Sequence, residues 1–417
     1  MTVDWEYKLM KKKRIVITGV GVVSPIGIGK DSYWEGLQEG KSGIKPITLF
    51  DTSDFNVKVG GEITDFNAKE ILGRKGLVDF DRSTTLLLAA SQFALEDGKL
   101  EINEENTYKT GISVGTTFGS LNSILEFDKE SIVEGPKFVN ASRFPNTVIN
   151  SPASRVAIRH GIKGLNSTIS TGICSGLDAL DYAIHQINFN RADRVLVGSV
   201  EEMCLQTFLG FYKLDYLSGI KNGNAPISCP FDKKRDGIVF GEGASIVILE
   251  ELNSALQRKA EIYGEILSVG SNFDPNKLHK YNPKATGIIG AMISAKSSLQ
   301  DIDCIFTNAN STQDADLIEA KAIKKVFDKF CEKIPVTAIK SMIGETFSAS
   351  GGLALVAALG ALEQGFIPPC INLSEKDSDC ALNLDNKARN QEVKRVMINT
   401  FNPNGANTVV IIGKFIK

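Results

Sequence analysis

Histidine is scarce in this chain, since only three of its 417 residues are histidine. Cysteine occurs seven times, an odd number, and no two cysteines show the CxxC spacing of a metal or redox motif. Neither a disulfide framework nor a zinc cluster is therefore indicated. We expect reduced thiols, a cytoplasmic location, no bound metal and no cofactor.

An excess of charge of one sign is also lacking, because 47 Lys and Arg residues balance 49 Asp and Glu residues. A chain without a basic field is not expected to bind nucleic acid or an anionic membrane surface. The basic run at residues 11–14 precedes a glycine-interrupted segment, which predicts a strand and a turn instead of a signal peptide. No apolar run is long enough to span a membrane, so the composition predicts a soluble globular protein.

Short β-branched runs alternate with amphipathic helical stretches along the whole chain. Residues 14–23, 194–198 and 408–412 are examples of the predicted strands, and the predicted helix 176–187 carries apolar residues at positions i, i+3, i+7 and i+10. This alternation is typical of an α/β protein. Continuously apolar strands indicate a sheet that is covered by helices on both faces.

Two predicted helices begin with similar glycine-containing strings, which hints at an internal duplication. The strings are Ser175-Gly-Leu-Asp-Ala-Leu180 and Gly351-Gly-Leu-Ala-Leu355. A charged stretch at 250–259 precedes a new strand, so we divide the chain into halves 1–255 and 256–417. No low-complexity linker separates the halves, and we expect them to share one core.

Several glycine-rich strings carry a family resemblance. They include Val16-Ile-Thr-Gly-Val-Gly-Val-Val-Ser-Pro-Ile-Gly27, Gly241-Glu-Gly-Ala244 and Lys340-Ser-Met-Ile-Gly344, and matching strings continue to Asn407. The chain resembles the β-ketoacyl-ACP synthases of the thiolase fold. The resemblance implies a five-layer αβαβα architecture with two similar halves, an obligate dimer, and condensation of an enzyme-bound acyl thioester with malonyl carried on acyl carrier protein.

The family's nucleophile is a cysteine in a sharp turn at the start of a buried helix, where the helix dipole lowers the thiol pKa. A gapless match places Ile173 at this position and Cys174 one residue later. An aliphatic side chain cannot attack a thioester. Two interpretations of Cys174 stay open, an alternative nucleophile and a buried packing thiol.

The resemblance also implies two catalytic histidines, and both are replaced. Asn310 occupies the first position, and Glu345 ends the Lys340-Ser-Met-Ile-Gly string where the second is required. His160, His185 and His279 match neither position, and we interpret them as capping or surface residues. In the glycine-rich loop near the C-terminus, Pro403 replaces the family's gating phenylalanine.

The loss of these residues within intact fold strings resembles the chain length factor, the ketosynthase-β subunit of type II polyketide synthases. Such a subunit pairs with a catalytic ketosynthase in a heterodimer, works with an acyl carrier protein and shapes the cavity in which the polyketide grows. Chain length factors often carry glutamine at the nucleophile position, so Ile173 is a departure. The alternative hypothesis is a residual enzyme, a malonyl-ACP decarboxylase or acyltransferase that uses Cys174 or Glu345.

The resemblance assigns supporting roles to other residues. Lys340 and Glu319 match residues that form an ion pair near the family's site, and we expect this pair to hold the loop around Asn310. The segment 116–138 lies at the dimer interface by resemblance, where chain length factors block the growing chain with bulky side chains. The candidates for this chain-length gate are Phe118, Leu121, Ile124, Phe127 and Phe138.

Overall fold

A computed structural model describes residues 12–74, 76–77, 80–277, 279–296 and 301–416 of the chain. The strands in this part are β1 Ile15–Ser24, β2 Gly27–Ile28, β3 Lys45–Pro46, β4 Val59–Gly60, β5 Thr110–Gly115, β6 Asn166–Ile169, β7 Arg194–Glu201, β8 Gly243–Glu251, β9 Gly264–Phe273, β10 Cys304–Phe306, β11 Pro335–Thr337, β12 Phe366–Ile367, β13 Asn383–Leu384, β14 Arg389–Asn390, β15 Arg395–Phe401 and β16 Ala406–Gly413.

The α-helices in the same part of the chain are α1 Lys30–Glu39, α2 Ala68–Leu72, α3 Arg82–Asp97, α4 Leu121–Val133, α5 Ser151–His160, α6 Ser175–Asn188, α7 Leu205–Lys213, α8 Leu252–Gln257, α9 Thr286–Lys296, α10 Gln313–Phe327, α11 Lys340–Ile343 and α12 Ser348–Gln364. Short 3-10 segments occur at Ala141–Thr147, Gly172–Cys174, Asp328–Phe330 and Ser378–Cys380.

Two groups of five strands repeat one topology. The first runs in the order β1-β8-β7-β5-β6 and the second in the order β9-β16-β15-β10-β11. Numbered by their sequence within each half, the strands follow the order 1-5-4-2-3 in both groups. The groups join where the starts of β1 and β9 pair antiparallel, so the two halves form one continuous structure.

Helices fill the space between the two groups of strands and cover their outer faces. The middle layer consists of α6 and α12, which contact each other and strands from both groups. Helix α3 covers the first group, and α9 covers the second with α10 against it. The predicted α/β class and the five-layer αβαβα arrangement with two similar halves in one core are confirmed, whereas the division at residue 255 stays a prediction.

The middle layer explains why the helix sequences differ. Nearly every residue of α12 is buried, so its sequence is apolar on all sides, whereas α5 buries one face and ends with Arg159 and His160. Close packing requires glycine where the two middle helices meet. A Cβ atom at Gly176 would lie 2.6 Å from the carbonyl oxygen of Ser348 at the start of α12.

The same framework brings three candidate segments to the ends of the middle helices. The 3-10 turn Gly172–Cys174 leads into α6, and the junction 344–347 leads into α12. The loop 307–312 follows β10, a strand of the second group. All seven cysteines are free and buried, and no helix in the described residues is long and apolar enough to cross a membrane.

Candidate functional site

The two positions where the family resemblance requires histidine lie side by side in the folded chain. The Asn310 side-chain amide donates a hydrogen bond to Oε2 of Glu345 over 3.0 Å, and both residues are buried. The ammonium of Lys340 donates to the same oxygen over 2.8 Å. Glu345 is therefore an ionic acceptor at the centre of a buried network.

The structure corrects the expected ion pair between Lys340 and Glu319. Besides Glu345, the Lys340 ammonium donates to the backbone carbonyl and side-chain oxygens of Asn308, at 3.1 and 3.0 Å. Glu319 instead accepts bonds from the Asn308 backbone N–H and the Asn399 side-chain amide. The reason is that Glu345 supplies a carboxylate five residues from the lysine, on the junction that follows α11.

Burial determines the charge state of Glu319. Removal from water raises the pKa of this carboxyl to about 8, and the bonds from Asn399 and Asn308 offset only part of the effect. Glu319 is therefore largely protonated at pH 7, and Glu345 balances the Lys340 charge. Both Glu319 and Lys340 still hold the loop 307–312, through bonds to Asn308.

Ile173 lies in an aromatic cluster instead of a reactive pocket. The cluster comprises the buried residues Ile47, Val57, Ile173, Met203, Phe208, Leu217, Ile238, Phe240 and Phe347. Apolar contacts on this scale stabilise the turn before α6 but offer no group that could attack a thioester. The turn at the predicted nucleophile position is a packing element.

Phe347 connects the aromatic cluster to the polar network. Its backbone N–H donates to Oε1 of Glu345 over 2.9 Å, and its ring packs against Phe118, Phe211 and Phe240, at centroid distances of 5.1, 4.9 and 5.3 Å. The backbone of Phe347 has φ 46° and ψ −119°, which is strained for a residue with a side chain and costs about 1–3 kcal/mol. Glu345 and the surrounding rings hold this conformation.

Cys174 is fully buried, and its Sγ donates to the carbonyl oxygen of Ala406 over 3.3 Å. Burial, assisted by the nearby Asp178 carboxylate, raises the pKa of the Cys174 thiol to about 12. The thiol is therefore protonated at neutral pH, although it lies at the start of α6. This state counts against a role as alternative nucleophile, since the thiolate is the reactive form.

The C-terminal loop contacts the same turn from the other side. The Asn402 side-chain amide donates to the carbonyl oxygen of Thr171 over 2.7 Å, and Asn402 also accepts a turn bond from Gly405. Pro403 is half-buried between these two residues. The loop is tied to the turn that carries Ile173.

The three histidines lie elsewhere. His160 ends α5 and shares a hydrogen bond of 2.8 Å with Ser91, and burial lowers its pKa to about 4. His185 is 3.7 Å from Asp181 on α6, and His279 is exposed. No group of His, Cys, Asp and Glu in the described residues could hold a metal ion.

The gate candidates separate into three environments. Phe118 faces the aromatic cluster through Phe347 and Phe211. Leu121, Ile124 and Phe127 are partly exposed on α4, and the Phe127 ring packs against Phe144. Phe138 is 71% exposed. Only Phe118 among these candidates packs directly against the residues around Ile173.

Sequence reasoning missed Asn308, Phe347 and Asn399. Asn308 bonds both Lys340 and Glu319, and Asn399 bonds Glu319. Phe347 stands two residues after Glu345, but nothing in a linear string shows that its ring meets Phe118. Asn308 and Asn399 each follow the end of a predicted strand, and this position was the signal in the sequence that could have identified them.

Histidine at position 345 would leave the buried Lys340 ammonium without its paired carboxylate. We expect Glu345→His to lower the free energy of unfolding by about 3–5 kcal/mol, the usual cost of an uncompensated buried charge. Glu345→Gln is the matched control, because it also removes the negative charge but keeps an oxygen that can accept from Lys340 and Asn310, so its free energy of unfolding should fall by less than that of Glu345→His. Urea unfolding measures both, and an unchanged stability for Glu345→His would contradict the role of the pair.

Comparison with known proteins places this geometry in a family. The family models described as "Beta-ketoacyl synthase, N-terminal domain" and "Beta-ketoacyl synthase, C-terminal domain" match residues 12–255 and 263–374. The chain is 35% identical to 3-oxoacyl-[acyl-carrier-protein] synthase 2 of Coxiella burnetii and 36% identical to that of Synechocystis sp., in each case over 97% of this chain and 99% of the relative.

Solved structures show the same fold. The ishigamide ketosynthase/chain length factor superposes with a TM-score of 0.90 at 31% identity, over 97% of this chain and 100% of that one. A type II polyketide synthase ketosynthase, solved with its acyl carrier protein and bound to the hexaketide, gives a TM-score of 0.89 at 26% identity over the same shares. The chain belongs to the β-ketoacyl synthase family.

Proposed function

We propose that this chain is a non-condensing subunit of the family, a chain length factor that pairs with a catalytic ketosynthase and shapes the polyketide cavity in type II polyketide biosynthesis. The observation that carries the proposal is the buried network of Lys340, Glu345 and Asn310. Condensation needs neutral imidazole donors where negative charge develops on the thioester. A carboxylate paired with an ammonium cannot donate.

The nucleophile position supports the same conclusion. Ile173 packs in an apolar cluster, and the neighbouring Cys174 thiol is protonated and bonded to a carbonyl. The relatives named 3-oxoacyl-[acyl-carrier-protein] synthase 2 establish the family of this chain. Membership of the family does not provide this chain with a nucleophilic thiol at position 173 or with imidazoles at positions 310 and 345. A residual decarboxylase or acyltransferase that uses Cys174 would first need to ionise a thiol with a pKa of about 12.

The surface of the first half supports pairing with another chain. Strand β6 is the last strand of its group, and among the described residues it pairs only with β5, so one side of its backbone is open there. Helix α4 buries none of its residues, and Ile132, Val133 and Phe138 near its end are exposed. An open strand edge and exposed apolar side chains are each typical of a protein interface.

Acyl carrier protein is the second proposed partner. In one neighbouring structure, a type II polyketide synthase acyl carrier protein is in complex with its ketosynthase. The carrier protein delivers the growing polyketide to the catalytic partner. A subunit that shapes the cavity would contact the polyketide at that stage.

The first test is condensation. We expect the purified chain not to condense malonyl-ACP with an acyl primer, and Ile173→Cys not to restore the reaction, because Asn310 and Glu345 would still not supply imidazole donors. Product formation by mass spectrometry is the measurement, with an intact ketosynthase as positive control. Condensation above background by Ile173→Cys alone would overturn the proposal.

The second test is assembly. We expect co-expression with an intact ketosynthase to increase soluble yield and to give a 1:1 complex, because an obligate interface left bare exposes apolar surface. Size-exclusion chromatography with light scattering measures the stoichiometry. A stable monomer that does not bind such a partner would argue against the proposal.

The third test concerns the gate. Phe118→Ala removes a ring that faces the cluster around Ile173 and frees on the order of 100 Å³, so we expect longer products from a reconstituted complex. Phe330→Ala is the comparison, because this exposed side chain lies outside the segment 116–138 and its truncation should change neither product length nor stability.

Loss of soluble complex would instead show that Phe118 only packs the core, where truncation costs about 3–5 kcal/mol. Unchanged product length in stable complexes of Phe118→Ala, Phe127→Ala and Phe138→Ala would place the gate elsewhere.

A further inference from the structure

The two halves of the fold differ at one position of the middle layer. In the first half, α1 follows β1 and packs against α12. Trp34 of α1 donates its indole N–H to the carbonyl oxygen of Val356, and Tyr33 donates to that of Leu353. In the second half, β9 leads to α9 with no helix in the described residues between them, so α1 has no counterpart there.

A groove lies where that counterpart would pack. Its volume is about 510 Å³, and it lies between α6 and β9. Matching Gly176 of α6 with Gly352 of α12 places Ile184 at the position of Gly360, the residue that contacts Trp34. Ile184 lines the groove. The duplicated architecture therefore leaves a binding face on α6 of the kind that α1 covers on α12.

The groove has an apolar floor and a polar rim. Ile15, Ile184, Ile266 and Val269 provide apolar surface, and Asp181, His185, Asn188 and Ser271 provide polar groups. An occupant should therefore present apolar side chains on one side and charged side chains on the other.

The described chain begins inside this groove. Lys12 and Lys13 are among its lining residues, and the Lys13 backbone N–H donates to the side-chain oxygen of Asn188 over 3.1 Å. Residues 1–11 are joined to the described chain at Lys12, a residue that lines the groove. They also precede residue 12, where the match to the family begins.

The sequence of residues 1–11 has the required pattern. Val3, Trp5, Tyr7 and Leu9 alternate with Asp4, Glu6 and Lys8, which in an extended segment separates apolar from charged side chains. Eleven residues can span up to about 36 Å. The stretch of β9 from Ile266 to Ser271 measures about 17 Å, so the segment is long enough to follow it.

We propose that the groove between α6 and β9 is the docking site of residues 1–11 of the same chain. The apolar side chains of the segment cover Ile184, Ile266 and Val269, and its charged side chains face the polar rim. The segment takes the place that α1 occupies in the first half. The proposal does not depend on the function proposed above.

Tryptophan fluorescence tests the proposal directly, because the chain contains only Trp5 and Trp34. Trp34 is 2% exposed and serves as an internal reference. The fluorescence of the full chain and of Trp5→Phe is measured at each acrylamide concentration. The difference between the two gives the quenching of Trp5 alone. We expect Trp5 to be protected in the unsubstituted chain and to become several-fold more quenchable when the groove is narrowed.

Two variants narrow the groove from opposite walls. Ser271→Arg acts from β9 at an exposed residue. His185→Arg acts from α6 at a half-buried residue whose side chain is 44% exposed, so the fold should tolerate both changes. Glu101→Arg, at an exposed position that does not line the groove, is the matched control. The proposal is supported if acrylamide quenching of Trp5 increases in both groove variants but not in the control.

Three results would overturn it. If acrylamide quenches Trp5 in the unsubstituted chain as readily as an exposed tryptophan, residues 1–11 do not occupy the groove. The groove is then empty or binds a small amphipathic ligand. Protection that persists in both groove variants would place the segment elsewhere. Protection that disappears on dilution would show that a second copy, not the same chain, covers Trp5.

Discussion

The buried ammonium of Lys340 is the constraint on which the candidate site depends. A cation removed from water must be paired, and the carboxylate that pairs with it determines the charge of its neighbours. Glu345 takes this role, so Glu319 can remain protonated in its own bonds to Asn308 and Asn399. Glu345 thereby determines how the hydrogen bonds around it are arranged.

The same carboxylate links polar and apolar parts of the site. One oxygen of Glu345 binds Lys340 and Asn310, and the other binds the N–H of Phe347. That bond helps to hold Phe347 in a strained conformation with its ring against Phe118. The aromatic cluster also contains Ile173, so Ile173 and Glu345 are connected through Phe347. Residues connected in this way respond to substitutions in a non-additive way.

Duplication accounts for the repeated framework of the fold, and the two halves differ in what covers the middle helices. Two strand groups of identical order enclose α6 and α12, and small residues allow the helices to approach. The halves then diverge at their surfaces. Helix α1 covers α12 in the first half, while the second half leaves a groove against α6. Edge strand β6 and helix α4 are exposed elsewhere in the first half.

The order of strands and helices and the duplication follow from the sequence alone, and the sequence also predicts that Ile173, Asn310 and Glu345 stand at the family's catalytic positions. Periodicity and local strings report these features, because they depend on residues close together in the chain. The partner of Lys340, the charge state of Glu319 and the burial of Cys174 required the tertiary structure. Glu345 is near Lys340 in sequence, but Asn310, Asn308 and Glu319 come from other segments, and burial depends on all of them. Packing across segments distant in sequence determines pKa values and pairing, and no linear pattern encodes it.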